Sequence, residues 1–325
     1  MHFLRRSLLL VTLMLPVAVP MGSYAQTYPS KPIRLIVPFP PGGNVDLSAR
    51  ILSPELSKEL GQPIIVDNKP GASGTLGLDM VAKSAPDGYT LGVASPINHL
   101  AAPSLFPKLP YDSEKSFTPI GLIASVPMVL VVPQSSPAGT VQELIARARS
   151  AKKPLAMASA GSGSGNHIVG ELFQEAAGVR FVHVPYKGSS LANTDLAGGH
   201  VDLHFDQLSS VLAMIQGGRL KALAVTTEQR SSLLPDVPTL AESGVANFDA
   251  STTLGLVLPG AAAPDLVAKL HGLLESILKR PSVREQFAKL GAEPKQSTPS
   301  EYAEFIQKEI ARTGRIVREA KITLD

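Results

Sequence analysis

IRLIVPFPPGGNVD, residues 33–46, reads as a short apolar strand that breaks at a proline–glycine turn and enters a helically spaced run. PLAMASAGSGSGNH, residues 154–167, repeats that plan with a longer glycine turn. A strand–glycine turn–helix unit aims unpaired backbone N–H groups and the positive end of a helix dipole at one small volume. Two such units facing each other make a clamp for a small anion.

In the first turn, Phe39, Pro41, Gly42 and Gly43 precede Asn44 and Asp46. The prolines stiffen the approach, and the glycines permit positive φ and close backbone approach. Asn44 or Asp46 is placed to cap the next helix. Read blandly, this is an ordinary tight connection. In the second turn, Ser159 and Ala160 lead into Gly161, Ser162, Gly163 and Ser164, with His167 just beyond. A flexible linker is its plain alternative, but the adjoining runs look structured. Neither the phosphate-loop spacing, nor the dinucleotide fingerprint, nor a nucleophile elbow is present.

Outward from these turns, apolar runs alternate with amphipathic ones. Strands are expected over 33–37, 64–67, 90–94, 128–132, 155–158, 181–184, 203–206, 222–226 and 253–258. Helices are expected over 44–60, 74–83, 140–151, 166–177, 191–197, 209–216, 264–279, 282–290 and 299–320. Thr140 with Glu143, and Thr298 with Glu301, form capping-box spacings. Short all-apolar strands between helices point to parallel sheets buried on both faces, a doubly wound α/β architecture.

Residues 1–25 carry Arg5 and Arg6, an apolar run and a small-residue site ending at Ala25, the pattern of a cleaved export signal. Removing those two arginines from the 30 basic side chains leaves 28 against 27 acidic ones, a net charge of about +1. With no dense basic cluster and 5% aromatic residues, nucleic-acid binding has little support. The chain has no cysteine, which excludes a lipid-anchored N-terminus, disulfides and thiolate chemistry. Without the leader, the chain is about twice the usual domain length, so two lobes are expected.

Other candidates flank the turns. Asp206 ends the strand-like run LHFD, and Tyr186 ends FVHVPY; strand ends of α/β sheets point at ligand crevices. Ser95 and His99 follow the run at 90–94. Lys187 is either an anion partner or a solvated lysine, the commoner state. His200, Asp202, His204 and Asp206 alternate with period two and would share a strand face as a metal cluster, but they span more than one ligand shell. Ser162 or Ser164 with His167 leaves an exported hydrolase as the alternative function, without an assignable third member.

YPSKPIRLIVPFPPGG (28–43), NKPGASG (68–74), APDGYTL (85–91), KLPYD (108–112), HVPYKGS (183–189), GGHVDLHFD (198–206), LKALAVTTEQRSSLLPDVPTLAESG (220–244) and LGAEP (290–294) follow one another in the order of a known family. The chain resembles the tripartite tricarboxylate transporter substrate-binding proteins, the TctC or Bug receptors, over essentially all of its length after the leader. That resemblance implies a type II periplasmic-binding fold, two α/β lobes crossed twice by the chain and closing over a ligand. Lobe 1 would comprise 26–123 and 250–325, and lobe 2 would comprise 124–249.

It further implies a periplasmic, monomeric, non-enzymatic receptor without a cofactor. The receptor would pass a dicarboxylate, tricarboxylate, amino acid or aromatic acid to the permease subunits of a transporter. The family cleft corresponds here to Phe39 to Asp46, Ser159 to His167, and Asp206. Departures affect ligand choice. Ala102 stands where the family often has Asn in a His-x-x-Asn-Pro arrangement beginning at His99, and His204 replaces a usually apolar residue. Asn44 and Val45 fill variable places.

Overall fold

The apolar runs become ten strands in the computed structural model, which describes residues 28–95, 108–246 and 248–322. The expected leader and His99 lie outside the described residues. In the first half, β1 (Ile33–Val37) runs parallel to β2 (Ile64–Asn68) on one side and β3 (Thr90–Ala94) on the other. The chain then enters β4 (Phe117–Pro133), a strand of 17 residues where the sequence suggests only its last five or so. In the second half, β5 (Leu155–Ser159) lies parallel between β6 (Phe181–Pro185) and β7 (Leu203–Gln207). β8 (Leu220–Val225) also joins β4, and β9 (Ser251–Pro259) returns beside β3.

β4 unites the two sheets. Its first part pairs antiparallel with β9 and with the two-residue β10 (Glu293–Pro294). Its last part pairs antiparallel with β7 and β8. The all-parallel expectation is therefore corrected. β4 and β9 are apolar because both of their faces are covered, and an antiparallel strand at the centre of a layered sheet needs the same composition as a parallel one.

Each sheet is covered on both faces. On the first, Leu52, Leu56, Leu270 and Leu274 come from α1 (Asn44–Leu60) and α7 (Pro264–Leu278), with Phe287 from α8 (Pro281–Lys289). Leu78 of α2 (Thr75–Ala82), with Tyr302 and Ile306 of α9 (Pro299–Glu319), covers the opposite face. On the second, α3 (Val141–Ser150) and α4 (Gly165–Ala177) pack Leu144, Val169 and Phe173 on Met128 and Leu130. α5 (Ser189–Ala197) and α6 (Leu208–Gln216) pack Leu196 and Val211 on Val129 and Val131, the alternate positions of β4. This is a doubly wound α/β fold with two cores. The core changes at Pro127, between Val126 and Met128, and again between Ala250 and Leu254.

Both expected capping boxes form, at Thr140/Glu143 and at Thr298/Glu301. α9 makes a third link between the cores. Tyr302 and Ile306 near its start belong to the first, while Ile316 and Val317 near its end pack on Ile168 of α4. Arg315 at this end pairs with Glu175 of α4 at 2.8 Å.

Candidate functional site

The registers bring the carboxyl ends of the parallel strands to one crossing. Ala94, the last residue of β3, pairs with Gly255, and Ser251 at the start of β9 pairs with Pro127. One residue further along β4, Met128 pairs with Gln207, the last residue of β7. The turns after β1 and β5 leave from these same ends.

In the first turn, Pro40 to Gly43 are exposed and Phe39 is half-buried. Gly42 adopts φ +88°, a conformation that suits glycine. Its N–H donates to Asp46 Oδ2 at 2.9 Å, and Asn68 Nδ2 donates to Asp46 Oδ1 at 2.9 Å and to the Phe39 carbonyl at 3.0 Å. Arg50 Nε donates to Asp46 Oδ2 from the outside at 2.9 Å. Burial pushes the Asp46 carboxyl up, but the bonds from Arg50, Gly42 and Asn68 outweigh it and leave the group lowered. Asp46 is thus a carboxylate that shapes the turn.

Neither Asn44 nor Asp46 takes the expected N-cap place. Gly43 occupies it, at φ −80°, with no side chain capping the helix. Asn44 instead accepts the N–H of Val45, its immediate neighbour. A helix of 17 residues therefore starts here without a side-chain cap. Around this start, Asn44 Nδ2, Ser48 Oγ and Ser95 Oγ are buried without a hydrogen-bond partner among the described residues. Asn44 and Ser48 lie one turn apart on α1, and Ser95 follows β3 at the same end of the sheet.

The second turn is held from beneath. Ser159 is fully buried, and its Oγ accepts the N–H of Gly161 at 3.1 Å while lying 2.6 Å from His183 Nε2. Gly161 and Gly163 adopt φ +136° and +72°. Gly163 N–H donates to His167 Nδ1 at 3.1 Å, which leaves the ring proton on Nε2, facing Glu171 at 3.6 Å. Ser164 Oγ caps α4 by accepting the N–H of His167, and its own N–H donates to the Gly161 carbonyl. Ala160 and Ser162 are half-buried in the same turn.

Below lies a buried polar network. Asp206 is fully buried and accepts from Asn166, Ser189, Asn193 and the N–H of Gln207, all within 2.9 Å. It thereby ties the first turns of α4 and α5 to the end of β7. His204 Nδ1 lies 3.0 Å from Asn193 Oδ1, and burial lowers its pKa against the pull of Asp206, keeping the ring neutral. Tyr186 turns its hydroxyl to Asp195 at 2.8 Å; burial first and that carboxylate second push its pKa up to about 12.

The period-two face at 200–206 does not assemble. His200 is exposed ahead of β7, and Asp202 accepts from Arg147 and from Ala156 N–H. Among the described residues no group of His, Cys, Asp and Glu side chains fits a metal ion. Lys187 is exposed. The Ser164–His167 pairing considered for a hydrolase is a backbone cap, and the buried Ser159 meets the imidazole of His183. Ser48 and His183 escaped the sequence reading. The one available signal was the period-two face that places His183 with Phe181.

The model of the tripartite tricarboxylate transporter family receptor matches residues 48–322. Protein BugT of Bordetella pertussis is 40% identical over 296 residues, covering 91% of each chain. Among solved structures, R. palustris Rpa4515 with adipate superposes with a TM-score of 0.83 at 34% identity, covering 91% of this chain and 100% of that one. MatC from Rhodopseudomonas palustris with bound malate gives 0.78 at 34% identity, with 89% and 100% covered.

Proposed function

The chain belongs to the tripartite tricarboxylate transporter receptor family, and from that premise we propose that it is a periplasmic receptor that captures a small carboxylate between two lobes and delivers it to the membrane permease. The lobes are residues 26–123 with 250–325, and residues 124–249. The observation that carries this reading is the start of α1, which lacks a side-chain cap and has Asn44 Nδ2, Ser48 Oγ and Ser95 Oγ buried around it without a hydrogen-bond partner among the described residues. Buried donors in that state are rare in folded proteins and call for a partner. A ligand carboxylate would supply it, accepting bonds from this helix start and from the second turn together.

A charge-assisted hydrogen bond contributes roughly 1.5–3 kcal/mol and a helix terminus about 0.3–2 kcal/mol. A few of these, less the cost of ordering and closure, reach the roughly 8 kcal/mol of micromolar affinity without an arginine in the site. Contacts to both lobes exist only when they close, so binding drives closure. Asp46 and Asp206 act behind the turns, since their oxygens already accept from protein donors.

The test is a thermal-shift screen, followed by calorimetry, of the protein beginning near Gln26. The panel holds adipate, malate, tricarboxylates, amino acids and aromatic acids. Saturable one-site binding of a carboxylate, without turnover, supports the receptor. Stabilisation by none of them, or hydrolysis of simple esters, overturns it.

A further inference from the structure

His183 lies outside every residue assigned to the ligand above, yet two of the second turn's three glycines lead back to it. Its strand explains the position. β6 alternates faces, so His183 projects with Phe181 toward α4. Phe181 stacks on Phe173 of that helix with centroids 6.2 Å apart and planes at 7°. Two residues further along β6, His183 stacks on His167, in the first turn of the same helix, at 3.6 Å and 11°. The two stacked pairs form one ladder between strand and helix.

The imidazole then acts through two routes. Its Nε2 lies 2.6 Å from Ser159 Oγ, and that oxygen accepts the N–H of Gly161. Its ring face fixes the plane of His167, whose Nδ1 accepts the N–H of Gly163. Gly161 and Gly163 are the positive-φ residues that give the turn its shape. We propose that His183 is a positioning residue for the second turn, setting the directions of Gly161 and Gly163 through Ser159 and through the stacked His167. The glycines and serines of the turn carry little intrinsic preference, so without these two pins the turn would sample many conformations before each binding event.

The functional consequence rests on the receptor reading, but the positioning itself does not, and the test separates them. Amide hydrogen exchange of Gly161 and Gly163, measured by NMR on the ligand-free protein, reads the turn directly. His183→Ala should speed both amides about five- to tenfold, the worth of one net hydrogen bond each. His183→Phe keeps a ring against His167 and loses the bond to Ser159, so it should speed Gly161 and spare Gly163. Ser159→Ala should reproduce that one-sided pattern. Adipate affinity, measured in parallel, should fall about tenfold in His183→Ala and less in His183→Phe, with the latter's melting temperature close to the parent's. Unchanged exchange at both glycines in His183→Ala, or equal acceleration of both in His183→Phe, overturns the proposal. If the unaltered protein fails to bind any carboxylate of the panel while the exchange pattern holds, the receptor reading falls and the positioning role stands.

Discussion

The two glycine turns follow one plan and are held in opposite ways. The first is exposed at its tip and shaped by a single carboxylate, Asp46, that shares itself with the surface side chain of Arg50. Its helix has no side-chain cap, and buried donors beside it lack partners among the described residues. The second is partly buried, capped by Ser164, pinned by Ser159 and His167, and underlain by an aspartate that accepts four donors. Similar local sequence thus yields one turn completed internally and one whose helix starts without a side-chain cap, the end that the proposed ligand would complete. In a two-lobed receptor the lobe that is finished beforehand offers a rigid surface, and closure finishes the other.

The largest contrast is expected between the two aspartates. Asp206→Ala strands several buried donors at once and should cost about 3 kcal/mol or more in denaturant unfolding. Asp46→Ala loosens a mostly exposed turn and should cost about 1 kcal/mol of stability while reducing carboxylate affinity about tenfold. Equal stability losses would erase the distinction between the turns.

Acid should separate them next. His204 has a folded pKa below its unfolded value, so the unfolded chain takes up the proton first. Stability from this group is therefore lost as pH falls below about 6.5, the ordinary imidazole value. Asp46 is lowered too, but as a carboxylate its contribution is full above about pH 4 and disappears only as pH falls through its folded value. His204→Gln should flatten the change in urea midpoint between pH 7 and pH 5, and Asp46→Asn should leave that slope intact. A slope unaltered by His204→Gln would remove the histidine from the account.

The smallest effects concern the glycines. The sequence suggests that Gly43 and Gly163 both need their conformational freedom, but Gly43 sits at φ −80° and, among the described residues, a methyl there would meet only the Pro40 carbonyl, at 3.9 Å. Gly163 sits at φ +72°. Gly163→Ala should destabilise by about 1 kcal/mol and Gly43→Ala by close to zero, as thermal melts would show. Any affinity lost in Gly43→Ala then reports crowding of the ligand rather than strain.

Much of this was legible in the chain because burial and strand length leave strong marks. β1 and β3 coincide with the apolar runs at 33–37 and 90–94. β4 was half hidden because Pro119, Gly121 and Pro127 read as breakers; the strand absorbs Pro119 and Gly121 at register shifts and places Pro127 at the crossing between cores. The amphipathic face of α9 is plain in the sequence, but nothing local says that Ile306 and Ile316 serve different cores. At the site, glycine turns announce themselves through composition. Their supports do not, because Asn68 and His183 reach the turns from strands far along the chain, and pairing register is a tertiary fact.

The most direct test of the two-turn account is peptide-level hydrogen–deuterium exchange on the protein beginning near Gln26, with and without a saturating carboxylate identified by the screen. The account predicts that residues 40–47 exchange quickly in the free protein and become strongly protected on binding. Residues 159–167 should already be slow and gain only modest further protection. Strong protection confined to 159–167, with 40–47 unaffected by ligand, would contradict it.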